Sequence, residues 1–281
     1  MMFGVSPAFV VSLYGPKFTV SDFCRALSVM SKLGFEAFQP EIFTADALPD
    51  WRQDGAATVA KSARELNLIP TQFVAHFMHS FFASPEMLTP EKGTEQLKQA
   101  IECAKAFDGC GVLTIPVLPF EADVGRFSLA GYDDLRKRLV EKIDTYVRIV
   151  SDAGLLLAFE IVPFSILGNS DGLLEVCREL DTPRLGINLD TGHAWAAREM
   201  VPLLPFKLHG RIFGLHLKDN NSDNNLPLAP GKGTVDWAAF LANLDASGYT
   251  GSLDIEIGCV PEEVEDEYRD GMTYLKSLTL Q

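Results

Sequence analysis

Eight times along 281 residues, an apolar run rich in β-formers gives way to a stretch with helical spacing. That alternation restricts the fold more than any single motif. The runs are 3–12, 35–43, 70–77, 111–118, 155–162, 185–192, 212–219 and 251–258. Strands covered on both faces read as nearly continuous hydrophobic sequence, which implies parallel pairing under helices. Between them, 19–34 carries Phe23, Leu27 and Met30 on one face and ends at Gly34, a candidate left-handed stop. Further helices are expected near 52–67, 90–107 and 132–153, the last after a polar loop. In the seventh unit Asp236 can cap a helix whose stripe is Trp237, Phe240, Leu241 and Leu244, with Gly248 as its end. Eight strand–helix units at this length predict an α/β fold. It should be one closed (β/α)8 TIM barrel spanning 1–281 as a single domain, since such a barrel takes about 250 residues. A GxGxxG after the first strand and a GxxxxGK[ST] are both missing, so dinucleotide and P-loop readings lose their support.

Composition excludes some partners. Apolar residues make up 47% and charged ones 22%, enough for a sizeable core. A net charge of −14 argues against a grip on nucleic acid or an anionic membrane, which needs clustered Lys and Arg. The five cysteines, Cys24, Cys103, Cys110, Cys177 and Cys259, are scattered and form no CxxC, which suits a reducing compartment. The apolar N-terminus lacks a basic region and is too short to span a bilayer. A cytoplasmic location is therefore expected. Self-association is left open.

In a barrel of this kind, chemistry sits at the C-terminal ends of the strands. Four successive runs, the fifth to the eighth, end in Glu160, Asp190, His216 and Glu256. Taken singly, each can be a strand-end or helix-cap group: Asp190 reads equally well as an N-cap, and His216 alone reads first as a structural histidine. Together they place three carboxylates and an imidazole on one rim, where unpaired charge is costly to bury. One divalent ion, Mn²⁺, Co²⁺, Zn²⁺ or Mg²⁺, would satisfy that set.

On these residues the chain resembles the sugar phosphate isomerase/epimerase group of xylose-isomerase-like TIM barrels. That group includes ketose 3-epimerases, hydroxypyruvate isomerase, inosose dehydratase and endonuclease IV. The resemblance rests on "AFEIV" around Glu160, "LDTGH" at 189–193, "HLKD" at 216–219, "PGKGTVDW" at 230–237 and "DIEIG" around Glu256. It implies that Glu160, Asp190, His216 and Glu256 hold one divalent metal and that His193 touches substrate. Gly192 would allow a tight exit from strand to helix. Similar barrels carry a substrate-facing His on the third strand, here His76, with His79 an exposed loop residue. Glu41, at the end of the second run, is either a rim salt-bridge partner or a substrate contact. Lys218 and Asp219 orient substrate or form a surface ion pair, and Phe81, Phe82, Phe120 and Trp195 form an apolar wall or simply pack.

The implied reaction is isomerisation or epimerisation of a ketose-like sugar or small hydroxy-ketone through an enediolate. Glu160 and Glu256 would be the acid–base pair. Two departures from ketose 3-epimerases stand out. The second Glu after the fifth-strand ligand is Ile166 here, and the Arg after the seventh-strand His is Ser222. An inosose-type dehydratase on the same centre is the alternative. An endonuclease IV-like nuclease is disfavoured: the fourth run lacks its His, and Asn225 and Pro227 stand where its Asp and His should be. A non-catalytic sugar sensor would not require the full ligand set.

Overall fold

The computed structural model describes residues 1–121 and 128–279; part of the polar loop expected before the 132–153 helix lies outside them. Its strands are β1 (Phe3–Val5), β2 (Ala37–Phe38), β3 (Glu41–Ile42), β4 (Ile69–Pro70), β5 (Phe73–Ala75), β6 (Val112–Val117), β7 (Leu156–Ile161), β8 (Leu185–Asp190), β9 (Ile212–His216) and β10 (Leu253–Ile255). Every ladder is parallel, in the orders β10-β1-β2-β4 and β3-β5-β6-β7-β8-β9. β2 and β3 are two pieces of one stave, as are β4 and β5, so the two sheets are continuous. A parallel bridge between Leu217 and Ile255 joins β9 to β10 and closes the barrel. The second stave breaks at Gln39 and Pro40. Pro40 has no N–H to donate, yet its carbonyl accepts from the Val74 amide at 2.9 Å and carries the ladder across.

The helices form where local signals agree. Val20–Leu33 opens on a capping box: Thr19 Oγ1 accepts from the Asp22 amide at 3.2 Å, and the Asp22 carboxylate accepts from the Thr19 amide at 2.7 Å. It stops at Gly34, whose φ of 83° is left-handed. Asp236 accepts from the Ala239 amide at 3.0 Å and starts Trp237–Ala246 as its sequence suggests. Among the described residues no helix is long and apolar enough to cross a membrane.

Every apolar run is shorter as a strand than its sequence range, and three of these shortenings shape the mouth. The first run is strand only to Val5. Pro7 is already in the helical region (φ −59°), and Ala8–Tyr14 is a helix buried through Phe9 and Val10. An apolar run satisfies burial in either conformation, so periodicity alone could not divide it. The third run ends at Ala75, and His76–Phe82 winds as a 3₁₀ segment. The eighth ends at Ile255, leaving Glu256 just beyond the last strand residue.

The lumen is not wholly apolar. Gln39, Gln72, Thr114, Asn188 and Asp254 are all buried. The Gln72 amide nitrogen donates to Asn188 Oδ1 at 2.7 Å, and the Thr114 hydroxyl donates to Gln72 Oε1. This polar layer lies beneath the strand ends that carry the four acidic and imidazole groups.

Candidate metal centre

Glu160 sits on β7, Asp190 and His216 close β8 and β9, and Glu256 follows β10. One ligand-type atom from each falls within 4.8 Å of all the others. The sequence-derived quartet is thus a single cluster. His216 Nδ1 is 3.0 Å from Glu160 Oε1 and 2.8 Å from Glu256 Oε2, and its Nε2 faces Gln39 Oε1 at 2.7 Å. Glu160, Asp190 and His216 are buried, and Glu256 is half-buried against the cavity.

Asp190 fills two roles. Its Oδ1 accepts from the His193 amide at 2.6 Å and caps the helix Thr191–Ala196. Its buried Oδ2 has no hydrogen-bond donor; the Lys218 ammonium is 2.9 Å away, close enough to pair in charge but without hydrogen-bond alignment. Three carboxylates and an imidazole, with this oxygen met only by the one ammonium, form a donor set that fits a divalent cation well.

Lys218 belongs to this centre and not to the surface. It is 3% exposed, with Nζ 3.3 Å from Glu256 Oε1 and 3.1 Å from His193 Nε2. Thr191 holds its backbone: the hydroxyl donates to the Lys218 carbonyl at 2.8 Å and accepts from the Lys218 amide at 3.1 Å. Gly192 is needed here for space, since it has no positive φ. A Cβ there would stand 2.5 Å from Lys218 Cγ. The expected role for this glycine, easing a tight exit, gives way to clearance for the lysine.

Electrostatics follow from this packing. Burial opposes charge on Lys218 and His216. The carboxylates of Asp190, Glu256 and Glu160 outweigh it at Lys218, and those of Glu256 and Glu160 do so at His216, so both pKa values rise. Burial would raise Glu256, but His216 and Lys218 hold it well below the usual carboxylate range. Burial, opposed by Lys218, raises Asp190. Burial and the Lys218 charge push His193 down to about 4, so its ring is neutral at physiological pH. With a neutral His216, three carboxylates, one ammonium and one divalent ion sum to zero charge, which a buried site favours.

A cavity of about 170 Å³ opens beside the cluster. Glu160, His193, His216 and Glu256 line one side, and Glu41 and His76 the other, with Pro7, Val11, Phe43 and Leu118 among the apolar walls. Glu41 is 3% exposed, and no ion pair reaches it among the described residues. Its Oε2 lacks a partner, and burial followed by the Glu256 charge raises its pKa well above normal. His76 stacks on Phe43 at 4.0 Å with its Nδ1 also unpartnered, and burial lowers its pKa. Glu160, Asp190, His216, Glu256, His193, Lys218, Glu41 and His76 therefore meet at this centre or its cavity.

Other expectations are corrected. Asp219 is structural: its oxygens accept from the amides of Asn220, Gly231 and Val235 and from the Trp237 indole at 2.8 Å, which pins the 230–237 segment. For the aromatics the packing alternative holds: Phe82 is in the core, Phe81, Phe120 and Trp195 pack against that core without lining the cavity, and the wall aromatic is Phe43. His79 is half-buried, edge-on to His76 at 5.1 Å, because the 3₁₀ segment folds it back over the strand end. Gln39, Thr191 and Asn225 were missed as participants. Asn225 Oδ1 lies 2.9 Å from His193 Nδ1. Polar residues in loops and strand breaks carry no distinguishing spacing, although "DTGH" already held Thr191.

Fold and site together define a (β/α)8 barrel of the sugar isomerase and epimerase type with a cluster able to hold a metal ion. The chain matches the family model described as xylose isomerase-like TIM barrel over residues 27–278, and it belongs to that family. It is 24% identical over 247 residues to the L-ribulose-5-phosphate 3-epimerase UlaE of Escherichia coli, covering 82% of this chain and 80% of that protein. Among solved structures it is similar to D-allulose 3-epimerase from Methylomonas sp. in complex with D-allulose (TM-score 0.75, 18% identity, 99% of this chain and 96% of that one). It is also similar to an IolI protein with a binding zinc atom (TM-score 0.71, 18% identity, 100% and 97%).

Proposed function

We propose that this protein is a divalent-metal-dependent isomerase or epimerase acting on a ketose-like sugar or small hydroxy-ketone through an enediolate. The observation that carries this reading is the convergence of Glu160, Asp190, His216 and Glu256 beside an open cavity, with one buried Asp190 oxygen met only by the Lys218 ammonium. The relatives named as epimerases of ketoses support the substrate class. When bound, the ion would polarise the oxygens of an α-hydroxy ketone and so acidify its carbon-bound proton.

The remaining chemistry belongs to the chain. Glu256 and Glu160 both face the cavity; Glu256 takes the proton, and Glu160, across the cluster, returns one to the opposite face or the neighbouring carbon. The Lys218 ammonium and the neutral His193 ring stabilise negative charge developing on substrate oxygen. Glu41 and His76, on staves opposite the cluster, bind hydroxyls at the far end of the substrate.

One observation favours a dehydratase as the second reading. Glu41 has a free oxygen at the cavity and a pKa raised by burial, so when protonated it can give a proton to a departing hydroxyl while a carboxylate removes the α-proton, releasing water. Metal analysis joined to solvent-deuterium incorporation, run over ketoses, hydroxypyruvate and inososes, tests both. Metal-dependent deuterium at a carbon next to the carbonyl with carbon skeleton and water content conserved supports the isomerase. Loss of water supports the dehydratase. No exchange with any of the three classes in metal-loaded protein overturns the acid–base assignment.

A further inference from the structure

We propose that Gln39 and Asp254 fix the donor nitrogen of His216, so that Nδ1 and not Nε2 is presented to the metal. The inference rests on the metal-centre reading above. Gln39 lies in the break of the second stave and is 1% exposed. Its Nε2 faces two acceptors, the Leu215 carbonyl at 3.3 Å and Asp254 Oδ2 at 2.8 Å. A carbonyl cannot donate, so the amide nitrogen belongs on that side and the amide oxygen on the other. That oxygen meets His216 Nε2 at 2.7 Å and can only accept. Nε2 must therefore carry hydrogen. The lone pair of a neutral His216 ring then sits on Nδ1, the nitrogen that faces Glu160 and Glu256.

Asp254 locks the amide in turn. Its Oδ2 also accepts from Thr71 Oγ1 at 3.1 Å and Ser252 Oγ at 2.6 Å, so three donors converge on that oxygen whether or not Oδ1 is protonated. Oδ1 stands 1.9 Å from where a Cβ on Gly4 would be, so β1 has room for nothing larger at that point. A metal-bound histidine ordinarily gives its second N–H to a carboxylate, carbonyl or water. Here a carboxylate acts at one remove, through an intervening amide. A neutral amide oxygen makes the imidazole less electron-rich than a direct carboxylate would, leaving more positive character for the substrate's oxygens.

The test compares binding of Zn²⁺ alone, by chelator competition, in the whole protein and two variants. Gln39→Met keeps length and apolar bulk but loses the acceptor. Removing such an outer partner of a ligand should weaken Zn²⁺ binding about 10–100-fold. Gln39→Glu puts an oxygen opposite Nε2 but sets its second oxygen against the Asp254 carboxylate and the Leu215 carbonyl, so it should also bind Zn²⁺ more weakly than the wild type. Nitrogen-15 spectra of the Zn²⁺-loaded wild type add a readout independent of how the variants fold, with hydrogen expected on His216 Nε2 and metal on Nδ1. Metal on Nε2 overturns the inference, as does either variant binding as tightly as wild type. A wild type that takes up no Zn²⁺, Mn²⁺, Co²⁺ or Mg²⁺ instead overturns the metal-centre reading itself.

Discussion

Replacing Lys218 by Met should move the stability of the metal-free protein and its metal affinity in opposite directions. The ammonium stands 2.9 Å from Asp190 Oδ2 and 3.3 Å from Glu256 Oε1, inside the barrel mouth. At those separations and an effective dielectric near 20, the gross attraction is about 5–6 kcal/mol per pair, much of it offset by desolvation of the charges. Removing one partner while the others stay buried costs more than the net worth of the pairs, typically about 3–5 kcal/mol. Met is unbranched and flexible, so it can follow the lysine stem past Gly192 without adding a steric cost.

Metal affinity should rise, because the lysine competes for two of the oxygens that would hold the ion and repels it as well. In Lys218→Met, three carboxylates face the incoming cation with no resident ammonium. Calorimetric melting of chelator-stripped protein, with and without Zn²⁺ at matched multiples of Kd, separates the two effects. The stripped variant should melt roughly 6–20 °C below the stripped wild type, at about 2–4 °C per kcal/mol for a chain of this size. Its Kd for Zn²⁺ should be lower than that of the wild type, and turnover should fall because the oxyanion loses its ammonium. A stripped variant as stable as wild type, or a Kd that rises, refutes the placement of Lys218 among the metal's own oxygens.

Three further outcomes follow from the same geometry. Glu256→Gln keeps size and one oxygen donor while removing basicity. It should retain much of its metal yet lose about 10²–10⁴-fold in turnover and deuterium exchange; exchange persisting at matched metal occupancy would leave Glu256 a ligand only and move the proton carrier to His193. The metal-free protein should lose stability as pH falls from about 6.5 towards 4, because His193, held at about 4 when folded, binds a proton first in the unfolded chain. His193→Gln should flatten that limb of the urea-midpoint profile, whereas an unchanged slope assigns the loss to other groups. His216, raised in the fold, acts in the opposite sense: it adds stability that is complete below its unfolded value and lost as pH rises through its folded one. Finally, the protein should not incise abasic duplex DNA at physiological salt; Glu160-dependent cleavage of such a duplex would displace the sugar reading.

How much of this was legible in the chain depended on the scale of the signal. The barrel was readable because eight apolar runs recur at regular spacing and parallel burial leaves a strong imprint on each. Glu160, Asp190, His216 and Glu256 stood out because each interrupts such a run. The helix Ala8–Tyr14 was not readable: it is as apolar as a strand, and only Pro7 in a helical conformation divides it from β1. Nor was the stage beneath the metal cluster, since Gln39 and Asp254 reveal themselves only when the second, seventh and eighth staves are brought together. Asp219 shows the converse failure. It lies one residue beyond Lys218 and looks equally functional in sequence, but the closure of 230–237 consumes both of its oxygens.

The two readings open for Asp190, helix cap or metal ligand, turn out not to compete. The carboxylate has two oxygens and the fold uses them separately. Oδ1 caps Thr191–Ala196, and that bond fixes the rotamer that turns Oδ2 towards Glu160, His216 and Glu256. The same cap sets where the helix begins, so it also decides that His193, three residues on, meets Lys218 at 3.1 Å on the cavity side. Thr191 and Gly192 occupy the interval for matching reasons, one bonding the Lys218 backbone and the other clearing its side chain. An ordinary capping geometry thus aims a carboxylate oxygen, a cavity-lining imidazole and a buried ammonium at one point. Asp190→Asn would keep the cap, because an amide oxygen still accepts from the His193 amide, while replacing a charged ligand oxygen by an amide group. Metal affinity should fall in that variant with the helix intact, separating the two duties of one side chain.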